Sequence, residues 1–253
     1  MIQVQRRSCY KTGVELQGQT ALVTGGAVRI GRAICEALAG QGVNVVVHYR
    51  HSADEARALC AELEERGVRA WALASELNSE VACSALIQRA TAAAGMLDML
   101  INNAAVFHKD NLLATTEAKL LDEFWPNLFA PLLLTRAFAA SSAGGKIINL
   151  LDRRIAGHDE TCVPYVLTKQ ALAELTRLAA KELAPHFTVN GVAPGAVLPP
   201  PGTGAGYLHD KAGPIPLQKL IAPQAVAEAV LALLRNDALT GQILFVDGGQ
   251  HLL

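Results

Sequence analysis

The sequence predicts an α/β protein: a doubly wound parallel sheet of about seven strands with helices on both faces, in three layers. Three observations carry that expectation. Short β-branched runs alternate strictly with longer Ala- and Leu-rich amphipathic stretches, the pattern of repeated βα units with right-handed crossovers. Hydrophobic residues make up 51% of the chain and aromatics only 5%, an aliphatic interior of the kind that fills the space between helices and a sheet. A glycine-rich turn, Thr24-Gly25-Gly26-Ala27-Val28-Arg29-Ile30-Gly31, joins the first strand to the first helix.

The first strand is read at residues 20–24, an apolar and β-branched run, and the first helix at 30–41. A second strand at 43–49 leads into a helix at 52–66, whose start carries Ser52 and Glu55 at capping-box spacing. Further strands are expected at 68–74, 98–102, 146–151, 188–193 and 242–246, separated by helical sequence. Such sheets bind ligands in the loops at the carboxyl ends of the strands, so function is sought there. Residues 197–217 break the alternation, with prolines at 199, 200, 201, 214 and 216 and glycines at 202, 204, 206 and 213. A loop of that length inside a compact domain suits a substrate-covering lid. Residues 1–18 show no hydrophobic period and are read as a flexible extension, leaving 19–253 as one domain.

The net charge of −1 comes with no basic run longer than Arg6-Arg7 or Arg153-Arg154, which argues against nucleic acid as a partner. No apolar stretch approaches the roughly 20 residues a membrane helix needs, and the first 18 residues lack the apolar segment of a signal sequence. A cytoplasmic protein acting on a small molecule, away from membranes, is expected. The 5 cysteines, Cys9, Cys35, Cys60, Cys83 and Cys162, form no C-x-x-C pair, so neither a disulfide framework nor a metal site is expected.

The glycine turn stands where a dinucleotide would lie. Gly25 permits the tight turn, and the backbone around Arg29 and Ile30 opens a helix whose N-terminus favours a pyrophosphate. After the second strand, an NAD-selective site would place a carboxylate against the ribose hydroxyls. The chain instead reads His48-Tyr49-Arg50-His51-Ser52, offering a cation, an imidazole and a hydroxyl to a 2′-phosphate, so NADP(H) is the expected cofactor. Tyr165-Val166-Leu167-Thr168-Lys169 opens a later helix, and i, i+4 spacing puts phenol and ammonium on one face. An ammonium beside a phenol lowers its pKa and fits it for proton transfer near neutral pH.

These segments resemble the short-chain dehydrogenase/reductase superfamily, with a Rossmann-like fold, over residues 19–250. The turn is similar to the family's T-G-x-x-x-G-x-G, with Arg29 at the middle glycine. Asn102-Asn103-Ala104 matches N-N-A-G with Ala105 in place of the glycine, Pro194-Gly195 matches the turn beside the nicotinamide, and Asp247-Gly248-Gly249 matches a C-terminal D-G-G. The resemblance implies cofactor contacts at Asn103, Ala104, Ala105, Pro194, Gly195 and Val197, and at Glu76 and Leu77 after the third strand, where the family usually has Asp and an aliphatic residue. It further implies Tyr165 as proton donor, Lys169 on the nicotinamide ribose and Asn127 in a proton relay. A homotetramer, or less often a dimer, is implied as well, through the helices containing Asn127 and Tyr165.

Thirteen residues before Tyr165 the family usually has a serine, whose hydroxyl can donate to a carbonyl oxygen; here stands Asp152, which when ionised only accepts. That favours a substrate with N–H donors, or a C=N bond whose nitrogen takes a proton. Pteridine reductases resemble this chain in Asp152, in Arg29 and in Phe107, which by resemblance stacks on a pterin ring. An NADPH-dependent reduction of a pteridine or dihydrofolate-like substrate is therefore expected, with Arg29, Phe107, Asp152 and Tyr165 touching substrate. The alternatives are a carbonyl reductase of the 3-oxoacyl kind, with Asp152 protonated, and a catalytically silent NADP-binding regulator.

Overall fold

A computed structural model describes residues 14–199, 206, 208 and 213–253. Seven strands form one sheet in the order β3-β2-β1-β4-β5-β6-β7: β1 Thr20–Val23, β2 Asn44–Tyr49, β3 Ala70–Ala74, β4 Met99–Asn102, β5 Gly145–Leu150, β6 Phe187–Pro194 and β7 Ile243–Val246. Every pairing is parallel. The expected fold class, an α/β/α sandwich of the Rossmann type, is therefore the one formed.

Alternation along the strands divides the core into two. Ala21 and Val23 of β1, Val45 and Val47 of β2, and Met99 and Ile101 of β4 face one layer, while Leu22, Val46 and Leu100 face the other. Both sets are apolar, which is why these runs lack the polar alternation of a one-sided sheet. The first layer contains α1 Arg29–Ala39, α2 Ala53–Glu65 and α7 Pro223–Leu234, which bury Ile34, Leu38, Leu59, Leu63, Val230 and Leu234. The second contains α3 Glu80–Ala94, α5 Ala130–Ser141 and α6 Val163–Glu182, which bury Leu86, Ile87, Leu134, Phe138 and Ala179. Strand order reverses beside β1, so a crevice opens at the carboxyl ends of β1 and β4.

Two local expectations change. Ser52 does sit at the N-cap of α2, but it makes no side-chain cap bond and the capping box with Glu55 does not form. Its ψ of 61° lies outside the extended region a capping residue adopts, because Ala53 N–H donates back to His51 O at 2.9 Å. By contrast, Ser79 caps α3 by accepting from Ala82 N–H at 3.2 Å. Of the 1–18 segment, residues 1–13 lie outside the described residues, and the rest packs instead of extending: Leu16 is 4% exposed in the core and Val14 N–H donates to Arg235 O at 3.0 Å. Most of the expected 197–217 lid also lies outside the described residues; Val197 is buried, and Leu217 N–H donates to Gly248 O at 3.1 Å.

Candidate active site

The turn after β1 is held from below by an unexpected residue. His48 of β2 is 2% exposed, and its Nδ1 accepts from Gly25 N–H at 3.1 Å while Nε2 donates to Ser75 O at 3.0 Å. These partners require the Nε2-protonated neutral tautomer, and burial pushes its pKa down to about 4. Asn103 closes the turn from the other side, donating from Nδ2 to Thr24 O at 2.8 Å and Gly25 O at 3.0 Å. Gly31 has no room for a side chain, since a Cβ there would lie 2.1 Å from Gly25 O. Arg29 adopts the left-handed backbone, φ 56°, that the family's middle glycine takes without cost.

A cleft of about 860 Å³ runs along this turn and is lined by Gly25, Arg29, Ile30, Asn103, Ala104 and Ala105. Its far wall is Tyr49, Arg50, His51 and Ser52 on one side and Glu76 and Leu77 on the other. Arg50 Nε donates to His51 Nε2 at 2.7 Å, and Arg50 Nη1 lies 4.0 Å from Glu76 Oε1. The first N–H groups of α1 have no intrahelical acceptor, and Val28 at the cap offers no side-chain bond, so the cleft presents backbone donors to an anion. A phosphorylated dinucleotide fits that donor set, and the crowding around Gly25 and Gly31 shows how closely backbone approaches backbone there.

The chemical groups converge beyond the end of this cleft. Tyr165, on the first turn of α6, is 7% exposed and donates from its hydroxyl to Asp152 Oδ2 at 3.0 Å. Asp152 follows β5 and caps a short turn, Arg153–Ala156, by accepting from Arg154 N–H at 2.9 Å. Arg154 Nη1 lies 3.3 Å from both Asp152 oxygens, and its Nε donates to Asp159 Oδ2 at 2.7 Å. Its guanidinium also sits over the Phe107 ring, 5.4 Å from the centroid, and the Phe107 and Tyr165 rings meet edge to face at 4.8 Å. Lys169 is 3% exposed, donates to Leu150 O at 2.8 Å, and has its pKa pulled down to about 8 by burial.

Tyr165 departs from the expectation that Lys169 lowers its pKa. Burial, then the Asp152 charge and its hydrogen bond, hold the phenol well above its ordinary 10. Lys169 Nζ is turned to Leu150 O and stands 5.8 Å from the ring centroid, too far to reverse this. Asn127 lies in a π-helical turn, Trp125–Phe129, between α4 Glu117–Phe124 and α5, fully buried against Val106, Thr168 and Glu123. Single-turn π insertions often mark functional sites. Gly195 packs on the D-G-G segment, where a Cβ would meet Asp247 Cβ at 2.8 Å.

The short chain dehydrogenase pattern matches residues 19–204. This chain belongs to the short-chain dehydrogenase family. Among solved structures, alternative dihydrofolate reductase 1, FolM, of Brucella canis in complex with NADP superimposes with a TM-score of 0.90 at 31% identity, over 94% of this chain and 96% of that one. Pteridine reductase 1 of Leishmania tarentolae is 32% identical over 92% of this chain and 96% of its own. The 3-oxoacyl-(acyl-carrier-protein) reductase FabG of Staphylococcus epidermidis is also 32% identical, over 92% of this chain and 99% of its own. Overall likeness thus extends to reductases of differently named substrates.

Within the family frame, three departures have physical accounts. Ala105 stands in for a glycine without strain, since its φ is not positive. Arg29 is strained, but its guanidinium donates to Pro199 O at 3.0 Å and Leu198 O at 3.3 Å, tying the turn to the segment after β6. Arg29→Gly should therefore relax the backbone by about 1 kcal/mol while releasing that segment; a melting temperature little changed, with a KM for substrate raised several-fold, is the expected result. The sequence did not show the role of His48, and it left open whether Arg154 meets substrate or solvent; Arg154 faces Asp152 and Phe107. Only the spacing of Arg154 two residues after Asp152 hinted at its place.

His48 also makes stability depend on pH. The unfolded chain takes up this proton near pH 6.5, the native one only near 4. The native state thus binds fewer protons in that window, and stability present above 6.5 is lost as pH falls toward 4, by about 3 kcal/mol. Urea unfolding across that window should show a steeper loss than in His48→Gln, which keeps an acceptor for Gly25 and does not titrate; parallel curves would refute the assignment.

Proposed function

We propose that this protein is an NADPH-dependent reductase acting on a C=N bond of a pteridine or dihydrofolate-like substrate. The observation that carries this reading is the setting of Asp152: it accepts from the Tyr165 hydroxyl and is faced at both oxygens by the Arg154 guanidinium. A carboxylate so placed has no proton to give a carbonyl oxygen, but it can accept from the N–H groups of a heterocycle. The donors of Arg50, His51 and Ser52 favour NADP over NAD, in keeping with the NADP complex of the similar Brucella protein.

When bound, NADPH supplies the hydride. The α1 N-terminus holds its pyrophosphate, Lys169 its nicotinamide ribose, and Asn103, Ala104, Pro194, Gly195 and Val197 its flanks. Tyr165 gives its phenolic proton to the substrate nitrogen, and Asp152 orients the ring by accepting from it. Phe107, 42% exposed, stacks on the heterocycle, and Arg29 steadies the covering segment. Asn127 supports the return of a proton to Tyr165. The functional form is a homotetramer built on α5 and α6, supported by the exposed Leu132, Leu167 and Leu178; light scattering in solution checks it.

NADPH oxidation by the purified protein with dihydrobiopterin, dihydrofolate and a panel of ketones tests the reading. Turnover confined to the pteridines supports it; comparable or faster ketone turnover assigns the chain to carbonyl reduction instead.

A further inference from the structure

The reductase reading leaves unused a buried carboxylate behind the chemical site. Glu123, on the last turn of α4, is 1% exposed. Its Oε1 accepts from His108 N–H at 2.7 Å and meets His108 Nδ1 at 2.9 Å, while Oε2 accepts from Asn127 Nδ2 at 2.7 Å. The His108 side chain is 58% exposed, so one end of this array reaches solvent. At the other end, Asn127 Oδ1 accepts from Val106 N–H at 2.9 Å and its Nδ2 lies 3.4 Å from Thr168 Oγ1, the residue before Lys169. An apolar side chain would fill such a position at lower cost than a carboxylate, which must be fully hydrogen-bonded to be tolerated.

We propose that Glu123 and His108 are a positioning pair for the reduction: Glu123 fixes Asn127 against Thr168, the residue before Lys169, and His108 links Glu123 to solvent. The inference rests on Tyr165 and Lys169 being the chemical pair. Of the other charged groups nearby, Asp152 also raises Lys169 and is unchanged in these variants, and the rest are paired or exposed. On α4, Lys119 bonds Asp110 and Ala114 O, and Asp122 is exposed; on the loop after β4, Lys109 is exposed; after β5, Asp152 is held by Tyr165 and Arg154.

The sign follows from those contacts. Burial pushes the Glu123 carboxyl up and the His108 and Asn127 donors pull it down, while burial lowers Lys169 and the Asp152 charge, then the Glu123 charge, raise it. Removing the carboxylate, or weakening it by removing His108, should therefore let Lys169 lose its proton at lower pH.

Glu123→Gln, His108→Ala and His108→Asn would be compared with the wild type from about pH 6 to 10, by kcat with dihydrobiopterin and by NADPH affinity from fluorescence. The basic limb of both should move down by about one pH unit in Glu123→Gln and by less in His108→Ala, and return in His108→Asn, which retains a donor. A uniform loss at every pH with the basic limb in place would overturn the proposal and leave Glu123 a structural residue. Should Glu123→Gln fail to fold, the exposed His108 variants decide on the same limb. Tyr165→Phe run alongside separates the two claims: surviving turnover removes Tyr165 from the chemistry on which the pair is argued, whereas an inactive Tyr165→Phe with an unmoved basic limb sinks only the Glu123 and His108 pair.

Discussion

Tyr165→Phe is expected to lower kcat by about 10²–10⁴-fold, the range a positioned general acid contributes, with NADPH affinity changed little. The hydroxyl is the polar atom of this ring, and it points at Asp152 while the ring meets Phe107 edge to face. Burial and Asp152 hold the phenol protonated through neutral pH, which is the form a reductase needs before each turnover. The wild-type rate should accordingly stay level on the acid side and fall as Lys169 discharges near pH 8. Stability should drop by only about 1 kcal/mol, because Asp152 keeps its bonds to Arg154 when the phenol is gone. Steady-state kinetics with a thermal melt of the same preparation check both parts, and turnover within a few-fold of wild type would remove Tyr165 from the chemistry.

Asp152→Ser should divide the two reductase readings by about 10- to 150-fold. A serine hydroxyl can still cap the Arg153–Ala156 turn and bond Tyr165, and Arg154 retains Asp159, so the fold should hold. What disappears is the charged acceptor for a heterocycle N–H, worth about 1.5–3 kcal/mol in a buried site. Pteridine turnover should fall accordingly, while ketone turnover, which gains a donor for the developing oxyanion, should persist or rise. Pteridine turnover that survives the change, or ketone turnover that collapses with it, would contradict the assigned role of Asp152.

The five inner strands were legible in the sequence because each is a short run buried on two faces, and the partly exposed edge strands β3 and β7 were legible from the alternation of strand and helix. The glycine turn was legible for a related reason: Gly25 and Gly31 are dictated by backbone crowding that no other residue relieves. The Ser52 cap was not legible, because its ψ depends on a bond between the flanking residues Ala53 and His51 rather than on residue type. Nor were His48 and Glu123. Both read as ordinary polar residues until the fold brings Ser75 and Gly25 to one, and His108 and Asn127 to the other.

The sequence by itself determined the layered α/β architecture, membership in a dehydrogenase family and the short list of groups around Tyr165. Those follow from local pattern and spacing. Only the tertiary structure decided how the groups act on one another. The i, i+4 spacing places Lys169 near Tyr165, yet Lys169 donates to Leu150 O on another element while Asp152 takes the phenol proton bond. The resulting rise in the Tyr165 pKa, opposite to the local expectation, arises because charge and burial act through space, across residues that the chain order separates.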